Sequence, residues 1–176
     1  GRFDLMSNAY GWDKNDFIPG HMGAYSRMMT PGWLNPIEIT RDGHYAISPS
    51  EISGHIYKVS HNFPDGEYLL IENRQPIKWD DNWPDRCGIV IYHVDEKAPK
   101  QSARGYPGHA NWPRDHYLVS VLQADGRYDI EKGVNTGDES DFWRKGDILG
   151  AGGDFPNTDS IQGGIRSETG ISISIL

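Results

Sequence analysis

The sequence predicts a mostly β, α+β fold: an antiparallel sheet with long Gly/Pro-rich loops and one short helix near the start. Three observations carry this. Six segments are rich in Ile, Val and Tyr, and several alternate apolar with polar positions, the period of a strand with one buried face. A single stretch, residues 21–30, carries helical spacing. Glycine (21 residues) and proline (11) are frequent enough to divide the chain into short elements joined by turns.

Residues 1–20, GRFDLMSNAYGWDKNDFIPG, are polar, aromatic and turn-rich. In HMGAYSRMMT (21–30), Met22, Tyr25, Met28 and Met29 share one helical stripe. Pro19-Gly20 precede it and Pro31-Gly32 end it. From residue 37 the pattern turns to β: HYAIS (44–48), HIYKVS (55–60), EYLLIENRQ (67–75), GIVIYHVD (88–95), HYLVSVLQAD (116–125) and ISISIL (171–176). GIVIYHV is continuously apolar, as a central strand would be. Asp65-Gly66 separates two of these segments and reads as a hairpin turn. Residues 76–87, 96–115 and 126–165 lack a regular period and read as long loops, which in a compact chain are often functional or pinned by ions. No repeat or linker divides the chain. The reading is one domain or fragment over 1–176, with a turn-and-helix region (1–36) and a β-rich region (37–176).

Composition narrows the function classes. Six Trp, nine Tyr and five Phe argue against disorder. No run of about 18 apolar residues exists, so no membrane span is expected. With 25 acidic against 17 basic side chains and no Lys/Arg cluster, nucleic acid is not an expected partner. Cys87 is the only cysteine and leaves the redox compartment open. The sequence opens on Gly1 rather than Met, which predicts a processed, cleaved or truncated product.

Spacing excludes several chemistries. None of the seven histidines forms an H-E-x-x-H pair, and no C-x-x-C, G-x-S-x-G, G-x-x-x-x-G-K-[ST] or G-x-G-x-x-G occurs. No complete active site is visible on spacing alone. One acidic cluster remains: Asp125, Asp129, Glu131, Asn135, Asp138 and Asp141, with glycines between them. Ca²⁺ takes six to eight oxygen ligands, so the cluster reads either as a calcium loop or as a solvated loop of Asx-turns. In IENRQ, Glu72 and Arg74 share a strand face; in YHVDE, His93 and Asp95 do the same. These four are candidates for a buried ionic network, either structural or part of a metal or catalytic site.

Six segments, in order, carry a family resemblance: FDLMSNAYGW (3–12), PGHMGAYSRMMTPGWLNP (19–36), EYLLIENRQ (67–75), GIVIYHVDE (88–96), VLQADGRYDIEKGVNTGDESDFW (121–143) and TGISI (169–173). Together they resemble the C-terminal part of the catalytic domain of immune inhibitor A-like secreted metallopeptidases. The resemblance implies a zinc endopeptidase of metzincin type, with Asp4-Leu5-Met6 as the Met-turn and Met6 as an apolar floor beneath the metal. Its H-E-x-x-H helix would precede the Met-turn and is not in this sequence. Zinc is therefore expected only if an upstream segment or partner chain supplies the ligands and the general base, and the chain alone is expected to be inactive. Joined to that helix, the implied mechanism is attack of a zinc-activated water on the peptide carbonyl, with Glu as base.

Tyr10, Trp12 and His21 are then candidates for lining the groove of a peptide substrate. The resemblance also implies a secreted or extracellular location and raises calcium at residues 125–141. It predicts that a missing N-terminal half or partner chain covers residues 1–35. Two other readings stand beside it. One is a non-catalytic extracellular structural or binding module of metallopeptidase-like fold. The other is a carbohydrate-binding β-domain using Trp79, Trp83 and Trp112.

Overall fold

A computed structural model describes residues 2–7, 20–81, 87–98 and 105–176. The chain is mostly β, with few and short helices. One five-stranded sheet has strand order β1-β2-β3-β4-β5, formed by Ile37–Glu38, Ile56–Val59, Glu67–Arg74, Gly88–Asp95 and Val119–Val121. A separate ribbon pairs β6 (Ile148–Leu149) with β7 (Ile173–Ser174). The helices are α1 (Ala24–Met29), α2 (Ser50–Ser53) and α3 (Asp129–Lys132).

The sheet is mixed, not wholly antiparallel as the sequence suggested. β2, β3, β4 and β5 pair antiparallel in succession, but β1 runs parallel to β2. The connection from β1 to β2, residues 39–55, contains α2 and leaves room for the crossover that a parallel pair requires. Residues 44–48 form no strand. There the carbonyls of Ala46 and Ile47 accept from Tyr57 Oη and Asn73 Nδ2, so side chains take the place of a strand partner. The expected helix at 21–30 is trimmed to six residues. Its buried residues are Ala24 and Arg27, while Met29 is exposed. Gly66 (φ +85°) closes the turn before β3, where the Glu67 N–H donates to Pro64 O, as the Asp65-Gly66 pair suggested.

Both faces of the sheet are covered, which explains the near-continuous apolar run of β4. One face, here face A, carries Ile56, Tyr68, Leu70, Val90, Tyr92 and Val94, and packs against α1, Phe3 and Phe142. The opposite face, face B, carries Tyr57, Val59, Leu69, Ile71, Ile89 and Ile91, and packs against Trp143 and Leu149. The alternation of β3 thus separates its polar residues: Glu72 and Arg74 fall on face A, Glu67 on face B.

The β6–β7 ribbon is tied to face B by one fully buried leucine, Leu149; its neighbour Ile148 is 67% exposed. Leu149→Ala is expected to lower the unfolding free energy by about 2–4 kcal/mol in urea titration, whereas Ile148→Ala leaves the midpoint unchanged.

Candidate functional site

The candidate Met-turn is a tight turn. The Ser7 N–H donates to Asp4 O at 3.0 Å, and Asp4 Oδ1 accepts the Met6 N–H at 3.0 Å. This is the self-capping geometry that an Asp at the head of a turn favours. Asp4 Oδ2 accepts from Ser26 Oγ, which ties the turn to α1. A Cβ on Gly23 would lie 3.0 Å from Asp4 Cβ, so the glycine permits this approach. Phe3, next to Asp4, anchors the same end in the core, 2% exposed and 5.2 Å from the Phe142 ring. Met6 stands at the tip, 71% exposed. Tyr10 and Trp12 lie outside the described residues.

Beneath the turn lies a buried ionic cluster on face A. Glu72 Oε1 accepts from Tyr92 Oη (2.6 Å) and lies 3.4 Å from Arg74 Nη1. Its Oε2 accepts from Arg27 Nη2 and Ser50 Oγ. Burial alone would raise the Glu72 carboxyl, but the guanidiniums of Arg74 and Arg27 outweigh it and hold the group below its usual range. Arg74 also binds Asp80 through Nε and Nη2, and donates to Phe3 O at 3.1 Å. Glu51 Oε1 lies 3.2 Å from Arg74 Nε. Burial pushes Glu51 up to about 7, against the pull of Arg74 and with the charge of Asp80 adding to the rise. His21, the groove candidate, is half-buried beside the cluster; its N–H donates to Asp80 Oδ1 and its ring to Met22 O. Burial, then Arg74 and Arg27, lower its pKa and favour the neutral ring.

Face B holds a second polar group. Glu67 and Asp95 are direct cross-strand partners, which places two carboxylates side by side. Each meets its own histidine: His93 Nε2 is 2.7 Å from Glu67 Oε1, and His116 Nε2 is 2.9 Å from Asp95 Oδ2. The two rings are 6.3 Å apart, nearly perpendicular. Glu67 further accepts from Ser160 Oγ and the Ile161 N–H, so that His93 and these donors outweigh burial and keep it ionised. His93 and Asp95 thus share a face without pairing to each other, and the sheet separates both from Arg74.

The acidic loop divides. Asp125, Asn135, Asp138 and Asp141 join one network: Ser140 Oγ lies between Asp125 Oδ2 (2.9 Å) and Asp138 Oδ1 (2.5 Å). Asn135 Nδ2 donates to Asp138 Oδ2, and Asp141 Oδ2 accepts the Asp138 N–H in a capping box. Burial, then the charges of Asp138, Asp125 and Glu131, push Asp141 up to about 7. Asp129 enters through its backbone, donating to Gln123 Oε1. Glu131 is bound by Gln123 Nε2 and lines a separate cavity with His93. Among the described residues no group of three or more His, Cys, Asp or Glu side chains could hold a metal ion, and no helix is long and apolar enough to cross a membrane.

Sequence reasoning missed Arg27, Glu51, Asp80, Glu67 and His116. Glu67 carried a signal, since period two puts it on the face of Asn73 rather than that of Glu72. The others come from helices, loops and turns whose approach the strand pattern does not encode. With this geometry in hand, comparison adds no relative: no family model, no curated protein and no solved structure matches the chain.

Glu72→Gln removes the charge that holds two guanidiniums and is expected to cost about 3–5 kcal/mol in chemical denaturation. Removing the exposed Lys97–Asp65 pair leaves the midpoint unchanged.

Glu51 and Asp141 have folded pKa values raised above their unfolded ones. Their contribution is fully present below the unfolded carboxylate range, about pH 4, and is lost as pH rises through about 7. Stability is therefore expected to fall between about pH 4 and 7. Glu51→Gln with Asp141→Asn should flatten that limb by about 1–3 kcal/mol per site, read as Tm against pH.

Proposed function

We propose that this chain is the Met-turn-bearing part of a secreted zinc-metallopeptidase-like protein, and that another segment or chain supplies the zinc-binding helix. One observation carries the reading. A turn, fixed on its N-terminal side by Phe3 in the core and by Asp4 bound to Ser26 of α1, presents an exposed methionine at its tip. Burying a thioether contributes to stability, and a large exposed one on a well-anchored turn is suited to a docking element. Met29 and Trp33, 58% and 62% exposed, are two further exposed apolar side chains within residues 1–35. This supports a partner segment over that region.

The residues present do not fit a zinc site of their own: the sequence has no H-E-x-x-H, and the described residues offer no ligand group. No step of peptide hydrolysis is therefore assigned to this chain. Its part is positional. The ionic cluster, through Arg74 and the Phe3 carbonyl, holds the turn at a fixed height above the sheet. His21 is the groove candidate held by the same cluster, through Asp80 and the Arg74 contact to its carbonyl.

The test is made on the full-length translation product. The expected result is one zinc per chain, casein cleavage abolished by a zinc chelator, and peroxide oxidation of Met6 slower than in the isolated 176 residues. A full-length product with no H-E-x-x-H or no bound zinc overturns the peptidase reading in favour of a non-catalytic binding module. Millimolar Ca²⁺ should raise Tm relative to EGTA if the loop at 125–141 takes calcium; an unchanged Tm removes calcium from the reading.

A further inference from the structure

Between β5 and the loops carrying His116 and Phe155 lies a cavity of about 40 Å³, room for more than one water-sized group. Its lining includes His93, Tyr106, Trp112, Tyr128, Glu131 and Phe155. Two polar atoms on this lining are buried with no hydrogen-bond partner: His93 Nδ1 and Tyr128 Oη. Their residues are 2% and 7% exposed. A buried polar atom left without a partner costs about 1–3 kcal/mol, so two on one cavity wall call for an occupant.

Ionised Glu67 accepts from His93 Nε2. That leaves Nδ1 as the ring nitrogen without a partner. Asp95 is met by His116, whose Nδ1 and Nε2 both face acceptors, Pro113 O and Asp95 Oδ2. Asp159 is met by Arg166 at 2.6 Å. Glu67 is paired with His93, and Glu131 accepts from Gln123 Nε2 with Lys132 adding a favourable charge. Burial raises the Glu131 carboxyl. The walls are aromatic: Tyr106 stacks on Tyr128 with centroids 6.5 Å apart, and Trp112 meets Phe155 edge-on at 4.5 Å. Tyr128 is also held in the left-handed region (φ 57°, ψ 37°), a conformation unfavourable for an aromatic residue, at the point where it enters the wall.

Unpartnered polar atoms, the carboxylates of Glu67 and Glu131 and the π faces together select a donor that is cationic. We propose that this cavity is a binding site for a primary ammonium group, carried by a small amine or by a lysine side chain. His93 Nδ1 and Tyr128 Oη accept its hydrogen bonds, and Glu131 supplies the counter-charge. An anion would meet Glu67 and Glu131. An apolar guest would leave both orphan atoms unpaired. A metal ion would find one free imidazole nitrogen, since both nitrogens of His116 are in use.

The experiment is NMR titration of ¹⁵N-labelled protein, reading the His93 imidazole nitrogens, with n-butylammonium, N-acetyl-lysine amide and n-butanol as probes. The expected result is an unprotonated Nδ1 in the free protein and a saturable shift with an ammonium probe but not with butanol. Tyr128→Phe and Glu131→Gln should each weaken binding about fivefold, equivalent to about 1 kcal/mol. Tyr128→Phe does not lower Tm, because its hydroxyl has no protein partner to lose. Saturation by both ammonium probes, or by the lysine amide alone, admits a lysine side chain as the source. Saturation by butylammonium alone restricts the cavity to free amines. A protonated Nδ1 in the free protein, an equal response to butanol, or no saturable shift with either amine overturns the proposal.

Discussion

A single carboxylate, Glu72, organises face A. It receives Arg27 from α1, Ser50 from α2, Tyr92 from β4 and Arg74 from its own strand. Arg74 passes that order on to the N-terminal turn through Phe3 O and to Asp80 in the 3₁₀ turn after β3. Buried ion pairs of this kind stabilise little against a well-packed apolar alternative, yet losing one partner strands the rest. Their effect here is positional. Short elements with few residues to bury are held where the guanidinium forks and carboxylate lone pairs coincide. Glu51, a third carboxyl beside Arg74, holds its proton longer because burial outweighs the pull of that guanidinium.

Face B solves a different problem with the same residue types. Register forces Glu67 and Asp95 together. Each is matched by an imidazole, but the two histidines end in different states. His116 spends both nitrogens on acceptors, while His93 spends one and turns the other to the cavity. That asymmetry makes one pair a closed structural bond and leaves the other with chemistry to offer.

The strands of 55–60, 67–75 and 88–95 were legible because period two survives burial on either face. The sharing of a face by Glu72 and Arg74, and by His93 and Asp95, followed from the same arithmetic. What each residue would touch did not. Arg27 looked like one polar position in a methionine-rich helical stripe, and only packing against β3 turns it inward. The segment at 44–48 has strand composition but meets side-chain partners instead of a strand. The acidic stretch at 125–141 looked like one cluster, yet α3 rotates Glu131 away to the His93 cavity and leaves the other carboxylates to Ser140 and their own backbone. Short-range spacing cannot reveal which way a four-residue helix turns its side chains.

The polarity of β3 has a consequence for how the chain avoids misassembly. Its second half divides by kind, with Glu72 and Arg74 on one face and Leu69 and Ile71 on the other. A slip of one residue against β2 or β4 would drive a guanidinium and a carboxylate into aliphatic packing while turning leucine toward Arg27. The strand therefore carries its own proofreading: the charges that fix the N-terminal turn also make every neighbouring alignment of the central hairpin expensive.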